Sequence, residues 1–139
     1  MTKVSAKLRR EVRERAQELC EYCRSNSAFS DSPFDVEHII SISAGGETVS
    51  ENLALSCHGC NLHKSNKIEG FDVVSEETVR LFHPRNNDWN EHFAWAKDFS
   101  IIVGLTPIGR TTVEVLHLNR KGLVNQRKVL YLFDEHPPK

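Results

Sequence analysis

Four cysteines in two Cys-x2-Cys pairs, Cys20 with Cys23 and Cys57 with Cys60, constrain this 139-residue chain more than any other feature. Each pair fits one tight turn, and a turn of that kind presents both sulfurs to a single tetrahedral ion. Four thiolates together suit a structural Zn2+. Two disulfides or a redox-active pair are the alternatives. The first needs an oxidising compartment and the second a thioredoxin-like setting, and the sequence signals neither. Between the pairs lie 33 residues, more than a compact zinc ribbon spans, so the cysteines enclose a whole substructure.

Composition excludes little beyond a membrane span. The chain is 39% hydrophobic and 27% charged, and no apolar run approaches the ~18 residues that cross a bilayer. MTKVSAKLRREVRERAQ at the N-terminus lacks the apolar stretch of a secretory signal. The expected location is the cytoplasm, where thiols stay reduced. The net charge of −1 conceals a pattern. Residues 1–30 and 101–139 are both rich in Lys and Arg, whereas residues 31–63 carry Asp31, Asp35, Glu37, Glu47 and Glu51 with no Lys or Arg. Divalent cations in an acidic middle and phosphates at basic ends would account for it, and so would a solvated acidic loop.

Hydrophobic periodicity predicts an α+β chain. A helix is expected over 5–19, with Leu8, Val12, Ala16 and Leu19 on one face, and a strand over 34–43 that runs to a turn at Gly45-Gly46. A short apolar segment over 53–56 enters the second cysteine pair, and a helix follows over 61–68. Two hairpins are expected further on, 71–74 with 79–82 and 92–96 with 101–104. Thr106-Pro107 reads as an N-cap followed by proline at the first helical position. That helix runs to about residue 118, and a last one covers 120–133.

Within the enclosed segment stand CEYC at 20–23, VEHIIS at 36–41, Gly45-Gly46, ENLALSC at 51–57 and CNLHKSN at 60–66. In order and spacing these residues resemble the HNH endonuclease family, the ββα-metal or His-Me finger nucleases, over residues 12–67. The resemblance implies that His38 is the general base that takes a proton from the attacking water. It makes Asn52 the residue that braces the loop and orients that base. Glu37 and Asn61 become ligands of a catalytic ion, and of His63 and Lys64 either one can face the site, His63 as a further ligand or Lys64 as a catalytic group.

Phosphodiester chemistry agrees with these roles. An imidazole titrates near neutral pH, as a base must. Hard carboxylate and amide oxygens suit Mg2+ or Mn2+, in contrast to the thiolates of the zinc site. Strand alternation raises one difficulty: Glu37 and His38 should point to opposite faces, and Asp35 shares a face with Glu37 and competes for the ligand role. The reading requires a bend or bulge near His38. His58, between two cysteines, is expected to be exposed or to support the zinc ligands from outside. Asn52 and Asn61 also suit local capping, which is compatible with the site.

LFHPRNNDWNEHFAW at 81–95, with GLTPIGRTTVEVLHLN at 104–119, resembles an extension found on a subset of stand-alone bacterial HNH proteins. Trp89, Phe93 and Trp95 are expected in a core or interface. Arg85, His92 and Arg110 are candidates for a nucleic-acid-binding cleft, with internal pairing as the alternative.

The expected whole is an HNH core with structural zinc over 1–70 and an α+β extension over 71–139 packed on it. The expected activity is metal-dependent hydrolysis of nucleic acid, DNA in preference to RNA. A zinc-stabilised nucleic-acid-binding module without catalysis is the alternative.

Overall fold

The N-terminal helix forms as α1 (Ala6–Ala16), started by Ser5, whose hydroxyl accepts from the Leu8 N–H at 3.1 Å. It ends where Gln17 turns left-handed, and it buries Val12 and Ala16. Residues 3–139 are described in this computed structural model, so Met1 and Thr2, the start of the domain expected over 1–70, lie outside the described residues. Helices and two-stranded antiparallel sheets make an α+β chain. The chain divides into two units, one running to Ile68 and including His83–Asn86, the other made of Glu69–Phe82 and Asn87–Lys139. Among the described residues no helix is long and apolar enough to cross a membrane.

In the first unit β1 (Asp35–His38) pairs with β2 (Leu53–Ser56), with Asp35 opposite Ser56 and His38 opposite Leu53. All four residues of β2 are buried. β1 covers one edge of β2. The first cysteine turn covers the other, where Glu21 N–H donates to Leu55 O at 2.9 Å and the Glu21 carboxylate accepts from Leu55 N at 2.8 Å. α1 packs on the hairpin, and α2 (His58–Lys64) packs on β1. α2 begins at His58, earlier than expected, because Cys57 itself is the N-cap and its sulfur accepts from Cys60 N.

The strand expected over 34–43 stops at His38. Beyond it Ile39 N still reaches the Asn52 carbonyl, but Ile40 N turns to the Asn52 side chain at 2.8 Å. Asn52 then donates from Nδ2 to Ile40 O and Glu47 O, both at 2.9 Å, and so closes the loop between the strands on itself. Gly45 and Gly46 serve this closure differently. Gly45 has a φ of +94°, whereas a Cβ on Gly46 would fall 1.9 Å from Ile40 O and 2.7 Å from Asn52 Nδ2.

The second unit contains the hairpins β3 (Glu69–Asp72) with β4 (Glu77–Arg80) and β5 (Phe93–Trp95) with β6 (Ile102–Gly104). A short helix, α3 (Trp89–His92), precedes β5 where a strand start was expected, because Asp88 caps it through Asn90 N. α4 (Pro107–Leu116) is capped by Thr106, with proline in its first turn, and packs on β3, β4 and β6. α5 (Lys121–Leu132) follows. Trp89 and Phe93 are core residues as expected, their ring centroids 5.1 Å apart, and Trp95 lies 5.6 Å from Trp89.

Substituting the two loop glycines should separate their roles. Gly46→Ala forces Ile40 and Asn52 apart and is expected to lower unfolding free energy by about 2–3 kcal/mol. Gly45→Ala, with open space around it but a left-handed backbone, should cost about 1 kcal/mol. Urea denaturation measures both, and a larger loss at Gly45 would show that the loop simply opens.

Candidate functional site

Cys20, Cys23, Cys57 and Cys60 come together in the first unit, all buried, with their sulfurs within 4.8 Å of one another. The Cys23–Cys57 sulfur separation is 3.7 Å. Four sulfurs at about 2.3 Å from a central zinc lie about 3.8 Å apart, so the cluster has the dimensions of a tetrahedral site. The amides of Cys23 and Cys60 each point at the first sulfur of their own pair, Cys20 and Cys57, at 3.5 Å, which places partial positive charge on thiolates. Burial pushes the Cys20 thiol well up, while its neighbours' thiols, Cys20 first, pull Cys57 down. Sulfurs this close share protons unless a cation replaces them, and these residues fit a structural zinc.

The two residues inside the first pair both reach the β1–β2 hairpin. The Glu21 carboxylate caps Leu55 N and pairs with Arg85. The Tyr22 hydroxyl donates to Glu37 Oε1 at 2.5 Å, from a side chain with no exposed surface.

His38 ends β1, half-buried, with Nε2 2.9 Å from the Thr48 hydroxyl. Burial, and then the nearby Lys64 charge, hold its imidazole below the usual histidine range, which favours the neutral form. A neutral imidazole is the form that accepts a proton. The Asn52 bonds begin two residues on, at Ile40, and fix the chain that leaves the strand.

The carboxylates of β1 divide sharply. Glu37 points inward, with Tyr22 on one oxygen and Lys64 Nζ at 3.2 Å from the other, and its side chain is 5% exposed. Burial pushes its carboxyl up against the opposing pull of Lys64 and Tyr22. Asp35 is 35% exposed, and its Oδ2 accepts from Asn61 Nδ2 at 3.0 Å and lies 3.2 Å from His58 Nδ1. Glu37 and Asn61, the expected ligand pair, are therefore not joined here; Asn61 is beside Asp35. Both acids share the face of β1 that meets α2, as period-2 alternation requires, and the packed neighbours decide which one is buried.

Lys64 is buried on α2, its ammonium spent on Glu37, His38 O at 3.3 Å and Ile39 O at 2.8 Å. It touches the backbone of the candidate base and lies away from solvent. His63 lies two residues beyond Asn61, a spacing that puts the two side chains on different faces of the helix. His58, expected to be peripheral, is 64% exposed and faces Asp35.

Arg85, His92 and Arg110 each have a partner within their own unit. Arg85 is committed to Glu21 in the first unit. In the second unit His92 Nδ1 is 2.6 Å from the Thr106 hydroxyl, and Arg110 forks onto both Asp72 oxygens at 3.1 and 2.9 Å. Arg85 and Arg110 each face a buried carboxylate and His92 a half-buried hydroxyl, contacts of the kind the internal-pairing alternative describes. Tyr22 and Thr48 were not anticipated. Tyr22 is visible in sequence only as a residue inside a cysteine turn, and Thr48 carries no signal before the loop is folded.

The model of the HNH endonuclease family matches residues 20–67, from the first zinc cysteine to just past α2. No curated protein and no solved structure matches the chain.

Replacing any one of Cys20, Cys23, Cys57 or Cys60 with serine should release the ion and unfold the first unit, since a cluster of this kind joins segments that otherwise have little to hold them. Elemental analysis of the parent should find about one zinc per chain. Free reactivity of all four thiols in the folded, unchelated protein would contradict the site.

Proposed function

With an HNH endonuclease segment at residues 20–67, we propose that this protein is a metal-dependent nuclease that hydrolyses phosphodiester bonds in DNA, with His38 as its general base. The observation that carries this reading is the placement of His38. Its imidazole stands at the end of a strand, with a hydroxyl on Nε2 and its own carbonyl anchored by Lys64. In the tautomer whose Nε2–H donates to Thr48, Nδ1 is the nitrogen free to take the proton from water. Asn52 keeps the following backbone in place, so the base does not drift relative to the scissile phosphate.

Asp35 and Asn61 are the residues that would hold the catalytic ion. Asp35 supplies a part-exposed carboxylate with the Asn61 amide against it, and turning that amide over would bring its oxygen to the same place, which suits an ion that keeps several waters. When bound, such an ion polarises the phosphate and stabilises the departing alkoxide. Glu37 suits the role less, because both of its oxygens are engaged inside the unit. The basic residues of α1 supply positive charge for a phosphate backbone.

A plasmid-nicking assay with added magnesium or manganese tests the reading. His38→Ala should lower turnover by roughly 10²-fold or more while thermal melting and DNA binding match the parent. Cleavage at the parental rate would remove His38 from the chemistry. A parent that binds DNA but never cuts it would leave a zinc-stabilised binding module.

The ion's ligands are tested by titration. Asp35→Asn should raise the magnesium concentration for half-maximal rate by about tenfold, worth roughly 1.4 kcal/mol of binding. Glu37→Gln should leave that concentration where it was. The opposite pattern would return the ligand role to Glu37. Brief, mild chelation should stop cleavage with secondary structure intact, and simultaneous loss of both would mean that one zinc serves both purposes.

A further inference from the structure

We propose that Tyr22, Glu37 and Lys64 form a chain of positioning residues that ties the orientation of His38 to the cysteine centre, an inference that rests on the nuclease reading above. The three side chains are buried, with Tyr22 unexposed, Glu37 at 6% and Lys64 at 1%. A buried carboxylate and ammonium gain little stability over apolar residues of the same volume, because both must be stripped of water. What the pair adds is direction.

The geometry shows where that direction is used. The β1–β2 ladder ends at His38 opposite Leu53, and the chain then leaves the strand. Lys64 Nζ has three hydrogens and three oxygen neighbours: Glu37 Oε2 at 3.2 Å, His38 O at 3.3 Å and Ile39 O at 2.8 Å. Two of these are carbonyls at the exit from the strand, so the ammonium sets the two peptide planes that follow the candidate base. Glu37 holds the ammonium from one side, and Tyr22 holds the other oxygen of Glu37.

Both ends of the chain are fastened to the same cluster. Tyr22 lies between Cys20 and Cys23, and Lys64 lies four residues past Cys60 on α2, one helical turn along the same face. The path therefore closes: cysteine turn, Tyr22, Glu37, Lys64, α2 and back to the cysteines. A shift of either cysteine pair moves an end of this path, and its middle is the backbone of His38. The zinc site thus acts on the base through three hydrogen-bonded side chains as well as through general folding.

The test uses the full chain with its zinc, in Tyr22→Phe, Lys64→Met and the double variant. Three readouts apply: zinc content, kcat and KM on plasmid DNA, and the NMR resonances of the His38 imidazole with amide exchange at residues 38–40. Lys64→Met is expected to lose about 10²-fold in kcat, the cost of a misplaced reacting group, with KM within twofold and zinc retained. Tyr22→Phe, which removes one hydroxyl, should lose roughly three- to tenfold in kcat, and the double variant should be no worse than Lys64→Met alone, since members of one network are not additive. Both single variants should move the His38 resonances and speed exchange at residues 38–40.

Parental kcat and unmoved His38 resonances in a folded, zinc-loaded Lys64→Met would overturn the proposal. If Lys64→Met does not fold, the same outcome in Tyr22→Phe overturns it. Strictly additive losses in the double variant would also do so, by showing separate effects. A parent that cuts no DNA defeats the nuclease reading instead, and the His38 resonances still report whether the chain positions that ring.

Discussion

Four buried sulfurs within 4.8 Å of one another need a cation, and the first unit is arranged around that need. Burial opposes ionisation of the cysteines, and their closeness makes them compete for protons, so the cluster is held well only when a soft divalent ion takes the protons' place. Once it does, three stretches of chain are joined: the turn after α1, the end of β2 and the first turn of α2. The hairpin is thereby covered on an edge and on a face by segments that few other contacts would hold. The buried β2 strand follows in part from this, since β1 takes one of its edges and the first cysteine turn, placed by the cluster, takes the other.

A second constraint is nested in the first. The loop between β1 and β2 is closed by one side chain, Asn52, which serves Ile40 twice and Glu47 once. The close approach of Gly46 to Ile40 and Asn52 leaves no room for a Cβ. Together with Lys64 on the carbonyls of His38 and Ile39, these bonds hold the strand exit from both sides. His38 is therefore held mainly through its backbone, with Thr48 the one described partner on its ring nitrogens. That arrangement suits a group whose side chain must stay open to a reacting molecule while its position is kept.

The acids and bases of the chain show how local pairing consumes charge. Glu37, Glu21 and Asp72 each have a cation against them, Lys64, Arg85 and Arg110 in turn. Each of these carboxylates is largely buried, where an unpaired charge would be costly. Asp35 differs in being part-exposed, with only neutral or titratable partners in Asn61 and His58. Among the acids of β1 it is the one positioned to exchange a polar neighbour for an ion.

The four-cysteine cluster was legible in the sequence because ligand spacing within a tight turn is a local property. So were the longer helices and both hairpins, whose periodicities and caps, such as Thr106-Pro107, lie within a few residues, although the first hairpin forms two residues earlier than expected and α3 was not foreseen. The HNH segment was legible because its motifs keep a fixed order. Alternation also placed Asp35 and Glu37 on one face, although it ran the strand past His38, where the Asn52 side chain ends it. Which of the two acids would be buried was not local. Glu37 turned inward because Tyr22, fifteen residues back, and Lys64, twenty-seven ahead, arrive beside it. The partners of Arg85, His92 and Arg110, which are Glu21, Thr106 and Asp72, were likewise not legible, being distant in sequence. A sequence states which residues can ionise, ligate or donate. The fold decides which of them meet a partner and lose that freedom, because burial and pairing depend on segments that only packing brings together.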